Sequence, residues 1–140
     1  MPSIRRPAVA GSFYPRDPAR LRAEVAGYLA DAGVAGEGPA PKLVVAPHAG
    51  YAALAPLRGR VRRVVLLGPT HRVPVRGLAA PGVDGFETPL GRVPIDREAL
   101  EGLADLPQLV QSDAAHAFEH SIEVQLPFLQ VVLGDFSLVP

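Results

Sequence analysis

Two unbroken apolar runs stand out from the chain, "KLVVA" at 42–46 and the later part of "RVRRVVLLG" at 60–68. Continuous runs of this kind mark strands covered on both faces of a mainly parallel sheet, whereas a half-exposed strand alternates. Around them the period changes. In "PRDPARLRAEVAGYLADAG", Leu21, Val25, Tyr28 and Leu29 recur at the spacing of one helix face. Asp17 is placed to cap that helix, Pro18 takes its first position and Gly33 ends it. "DREALEGLADL" predicts a second helix, with Asp96 as N-cap and Ala99, Leu100 and Leu103 turned inward. "HSIEVQLPFLQVVLG" predicts a third, kinked or eased at Pro127. Glycine and proline break "RGLAAPGVDGFETPLGRVPID" into short pieces, which predicts a hairpin-like excursion, and "FSLVP" predicts a last strand. Strands alternating with helices argue an α/β fold. The expected form is a three-layer α/β/α sandwich around a mainly parallel or mixed sheet, with strands at 43–47 and 64–68 as parallel neighbours.

Composition narrows the classes. The chain has 140 residues, 48% of them hydrophobic, which suits one domain (1–140) with a single core. Net charge is zero, so neither a basic footprint for nucleic acid nor a polybasic membrane patch is evident. No apolar stretch approaches the roughly 20 residues that span a bilayer, and the N-terminus lacks the apolar run of a secretory signal. A cytoplasmic protein is expected. The chain has no cysteine, so it holds no disulfide and no thiolate ligand of its own.

Candidate chemistry begins at the strand ends. "LVVAPHAGY" and "VVLLGPTHR" share one arrangement, an apolar strand, then proline, then histidine, and they place His48 and His71 just past the two runs. Ligands of open α/β sheets bind outside the carboxyl ends of the strands. Adjacent strands lie about 4.8 Å apart, so two such imidazoles could share one metal ion or one substrate. Taken singly, a loop histidine reads as a surface residue or a partner for a turn carbonyl; the matched pair is what favours function. In "EHSIEVQLP", His120 and Glu123 are spaced to share one face of a helix, as two ligands or as a base with its orienting carboxylate. Spacing alone favours helix-start chemistry over that, with Ser121 or His120 as cap and Glu123 at the positive end of the dipole. His116, in the polar run "QSDAAHAFEH", reads as a solvated loop residue. Tyr14, in "RRPAVAGSFYP", reads first as an aromatic anchor for the N-terminal arm and second as a pocket wall. No phosphate loop, dinucleotide fingerprint or nucleophile elbow occurs.

Five motifs in order, "RRPAVAGSFYP", "APHAGY", "VVLLGPTHRVPV", "ETPLG" followed by "ID", and "EHSIEVQLPFLQ", resemble the Memo family. Its prokaryotic members are called AmmeMemoRadiSam system protein B. The resemblance runs over nearly the whole chain and implies a fold like that of extradiol ring-cleaving dioxygenases, which hold non-haem iron. It implies His48 and His71 as the first two ligands of iron or copper, with His120 and Glu123 as catalytic groups in the same pocket. It places the third ligand, a cysteine, in a C-terminal half, so the chain is expected to cover the N-terminal portion of the family's length. One departure is local: after "PHAGY", the stretch "AALAPLRG" is shorter than the family's turn and alanine-rich helix.

Two functions follow from that resemblance. The first is a metal-binding redox or oxygen-activating protein, since two neutral imidazoles and one anionic ligand leave open positions on iron or copper. His120 would then support a ligand from behind or shuttle protons, with Glu123 orienting it. The second is a non-catalytic adaptor that takes an anionic or phosphopeptide ligand in the same pocket. AMMECR-type and radical-SAM proteins are the partners the resemblance implies.

Overall fold

The computed structural model describes residues 2–32, 43 and 61–140. The first strand, β1 (Ile4–Arg5), runs parallel to β4 (Gly85–Thr88), which turns back antiparallel into β5 (Gly91–Pro94). Further parallel pairs are formed by β2 (Arg63–Val65) with β7 (Ser137–Val139), and by β3 (Leu78–Ala80) with β6 (Leu109–Gln111). A bridge between Ile95 and Leu138 ties the β4–β5 hairpin to the β2–β7 pair. With its helices beside parallel strands, the protein is α/β.

Helix α1 (Pro18–Asp31) starts where local chemistry requires it. The Asp17 carboxylate accepts from the Arg20 amide at 2.7 Å, and Pro18 gives up no hydrogen bond at a position where none is made. Leu21, Val25 and Leu29 are buried on its inner face. Tyr28, on the edge of that face, is half exposed and lies beside Phe128. Helix α2 (Arg97–Glu101) is capped by Asp96 through the Ala99 amide at 3.0 Å. Leu100 is buried, but Leu103 lies beyond the helix and is exposed, because the helix stops at Gly102.

The predicted third helix begins later than its sequence pattern suggests. Glu123–Gln125 forms a 3-10 turn, and α4 (Leu126–Leu133) follows with Pro127 in its first turn. Proline has no amide hydrogen to continue an i→i−4 ladder into the preceding turn, so the regular helix starts beside it. His120 therefore lies in the approach to the turn and does not share a helix with Glu123. A short helix, α3 (Asp113–Ala117), precedes it, capped by Ser112.

The core is built where α1 and α4 pack together and against the hairpin and β7. Val25, Phe86, Leu126 and Leu138 are its most deeply buried members. Burying a side chain of this size stabilises by about 1.5–3 kcal/mol. The two-faced burial expected of the second apolar run does not extend along it. Val65 and Leu67 remain 64% and 69% exposed, since β2 finds one neighbour, β7, among the described residues. The strand expected at 43–47 and its pairing with 64–68 fall on residues outside those described, apart from Leu43. No helix among the described residues is long and apolar enough to cross a membrane.

Candidate functional site

Just beyond β2, Gly68 and Pro69 carry the chain towards His71. The turn sits tightly on the loop before α4: a Cβ on Gly68 would lie 2.7 Å from Ser121 Oγ. That hydroxyl donates to the Pro69 carbonyl at 2.8 Å, so two loops from distant parts of the chain are joined there.

The joint brings His71 to the carboxylate of Glu119. Glu119 Oε2 accepts from the His71 amide at 2.5 Å, and Oε1 lies 2.8 Å from His71 Nδ1. Oε1 also accepts from the amides of His120 at 2.8 Å and Ser121 at 3.0 Å. The side chain of Glu119 is only 5% exposed. Burial pushes its pKa up, but the hydrogen bonds from His71, Ser121 and His120 outweigh that and hold it at about 2. Glu119 is therefore a fixed anion. An ionised carboxylate only accepts, so His71 Nδ1 is the donor in this contact.

His120 completes the group. Its ring stacks on that of His71 with centroids 4.8 Å apart, and its Nδ1 is 3.3 Å from Glu119 Oε1. Phe13 also lies against His120, with ring centroids at 4.9 Å. Each of His71, Glu119 and His120 offers a ligand atom within 4.8 Å of the others. An ion with bonds of about 2.1 Å spans donors up to about 4.2 Å apart, so the three would have to draw closer to share a first-row metal. Their donor chemistry does fit one. A histidine whose Nδ1–H is held by a carboxylate presents Nε2 in the manner of metal-ligating imidazoles.

Of the residues singled out in the sequence, His71 and His120 thus come together. His48 lies outside the described residues. Glu123 does not orient His120. Its side chain is fully buried and faces the N-terminal arm, where Oε2 accepts from Arg5 Nη1 at 2.5 Å and from the Ala8 amide at 2.8 Å. Oε1 accepts from the Val9 amide at 3.0 Å and the Tyr14 hydroxyl at 2.5 Å. Burial first, and then the hydrogen bond to Glu123, push the Tyr14 phenol far above its ordinary range. Tyr14 is the arm's anchor.

The carboxylate that serves the imidazoles is Glu119, which the spacing argument passed over. Its signal was its place directly before "HS", where a side chain can accept from the amides that follow. His116 is not solvated either. It is buried in α3, with Nε2 2.8 Å from the Ala79 carbonyl and its ring edge-on to Phe86.

An α/β protein with a carboxylate-held histidine pair beyond a strand end is the class that fold and site define. The chain belongs to the Memo family: the family model described as Memo-like protein matches residues 5–140. A MEMO1 family protein of Thermotoga neapolitana is 42% identical over 98% of this chain and 57% of its own length. Those of Sulfolobus acidocaldarius and Aquifex aeolicus are each 38% identical over 98% of this chain, and over 56% and 54% of themselves. The chain thus spans about half the length of the curated relatives it matches.

Proposed function

We propose that this Memo-family chain supplies part of a metal centre for iron or copper, with His48 and His71 as ligands. The observation that carries this reading is the hold of Glu119 on His71 Nδ1, the kind of carboxylate contact that orients metal-ligating imidazoles. Bound iron or copper would supply one-electron or oxygen-activating chemistry there. The chain's own groups do the rest. Glu119 stays ionised and fixes the His71 ring, while His120 stands against the same carboxylate as the group to carry a proton. Phe13 lies against His120. Cooperation with AMMECR-type and radical-SAM proteins is supported by the family resemblance.

The test is metal analysis of the full-length protein, purified without chelator or affinity tag, as wild type, His71→Ala and Glu119→Gln. The reading expects near-stoichiometric iron or copper in the wild type and loss in His71→Ala. In Glu119→Gln it expects affinity lower by about 10–100-fold, the usual effect of removing a ligand's orienting partner. A metal-free wild type that binds inorganic phosphate or a phosphopeptide would favour the anion-binding adaptor instead.

A further inference from the structure

We infer that Arg5 is a positioning residue for the imidazole pair, acting through the backbone of Glu119; the inference rests on the reading of the centre given above. Arg5 belongs to β1 and is far from His71 in sequence, yet its guanidinium is buried beneath the loop that carries Glu119 and His120. Nε donates to the His116 carbonyl at 2.9 Å, Nη2 to the Glu119 carbonyl at 2.6 Å, and Nη1 to the Glu123 carboxylate at 2.5 Å. One planar group thereby fixes the loop where it leaves α3, at Glu119 itself, and where it enters the 3-10 turn.

The chemistry explains why an arginine stands there. Three nitrogens in a rigid plane reach three separate acceptors, whereas a lysine offers a single ammonium centre. The Phe86 ring lies 5.1 Å from Cζ and helps to set the plane. On the far side, Glu123 ties down the Ala8 and Val9 amides and the Tyr14 hydroxyl, so the arm is joined to the loop along its length. A buried ion pair is a poor source of net stability compared with apolar packing; a fixed geometry is what it can add. Here the fixed object is the Glu119 backbone, from which the carboxylate reaches the amide and ring of His71. Loosening the arginine should blur that contact without removing any group of the imidazole pair.

The experiment compares full-length wild type, Arg5→Lys and the neighbouring control Arg6→Lys. Imidazole 15N NMR reads the His71 tautomer, and titration with Fe(II) alone reads affinity. Wild type and Arg6→Lys should show His71 protonated on Nδ1. Arg5→Lys, which keeps a cation for Glu123, should show mixed tautomers and Fe(II) affinity lower by about tenfold. Unchanged tautomer and affinity in a folded Arg5→Lys protein would overturn the inference. Should Arg5→Lys fail to fold, Tyr14→Phe carries the test. It removes one hydroxyl from Glu123 and should shift the His71 tautomer in the same direction by less, and no shift there overturns the inference too. A wild type that binds no Fe(II) would end the metal reading, while the tautomer comparison would still decide the role of Arg5.

Discussion

Glu119 holds His71 at two points, accepting from its backbone amide at 2.5 Å and from its ring Nδ1 at 2.8 Å, across 48 residues of chain. A histidine bound in both places is fixed in position and in ring orientation. The remaining nitrogen is then aimed by the fold rather than by whatever binds to it, and that preorganisation distinguishes this histidine from an ordinary loop residue.

Replacing His71 separates binding from stability. Its side chain is 39% exposed, so His71→Ala should cost the apo protein at most about 1 kcal/mol, one net hydrogen bond and a ring contact. Metal-induced stabilisation should vanish: at a hundred times the dissociation constant the wild type gains about 2.7 kcal/mol. Paired thermal melts of the full-length protein, with and without Fe(II), read both. A variant that keeps its metal-induced shift would place the ion elsewhere.

Gly68→Ala probes the joint beneath His71. The new methyl would meet Ser121 Oγ at 2.7 Å and Ile122 Cγ1 at 3.1 Å. Ser121 is held by its bond to Pro69 and cannot retreat freely. Destabilisation of about 1–3 kcal/mol is expected, measured by urea unfolding. The double variant Gly68→Ala/Ser121→Gly should recover part of it.

Glu123→Ala should be far more damaging than any change at the histidines. It leaves the Arg5 guanidinium, the Tyr14 hydroxyl and two amides without their acceptor in a buried place. Breaking one side of a buried ion pair costs about 3–5 kcal/mol. Denaturant unfolding should show it, and a loss under about 1 kcal/mol would mean that the arm is held chiefly by other contacts.

Acid should weaken the fold in two stages. Burial is the main cause of the lowered pKa of His116, helped by nearby Arg5 and opposed by the Ala79 hydrogen bond and the charges of Asp113 and Glu119. The unfolded histidine binds a proton first, so stability falls as pH drops below about 6.5. Glu119, lowered from 4.5 to about 2, contributes stability that is present above 4.5 and lost as pH falls towards 2. After allowance for solvent screening, its share is on the order of 2 kcal/mol. Unfolding midpoints across pH 2–8 should lose the upper stage in His116→Gln and most of the lower stage in Glu119→Gln.

Local chemistry in the sequence was enough for much of the frame. Asp17 and Asp96 cap their helices through amides three residues on, a relationship inside one turn of chain. The buried face of α1 follows from the period of Leu21, Val25 and Leu29, and the β4–β5 hairpin follows from the Gly and Pro that bound it. The placement of His71 beyond an apolar strand was equally legible, because strand and turn signals are contiguous.

The partners of the buried charges were decided by the tertiary structure. Spacing coupled His120 to Glu123, but Pro127 delays the helix that would have aligned them, and Glu123 turns to an arm 118 residues away at Arg5. Glu119 became the carboxylate of the pair because the Gly68–Pro69 turn packs on Ser121 and brings a distant amide and ring to it. His116 looked solvated among polar neighbours, yet it is buried because Phe86 and Ala79 close over it from other strands. Caps and periods are fixed by residues within a turn or two of one another. Which polar side chain is buried, and against what, depends on how distant elements pack, and no local pattern encodes that choice.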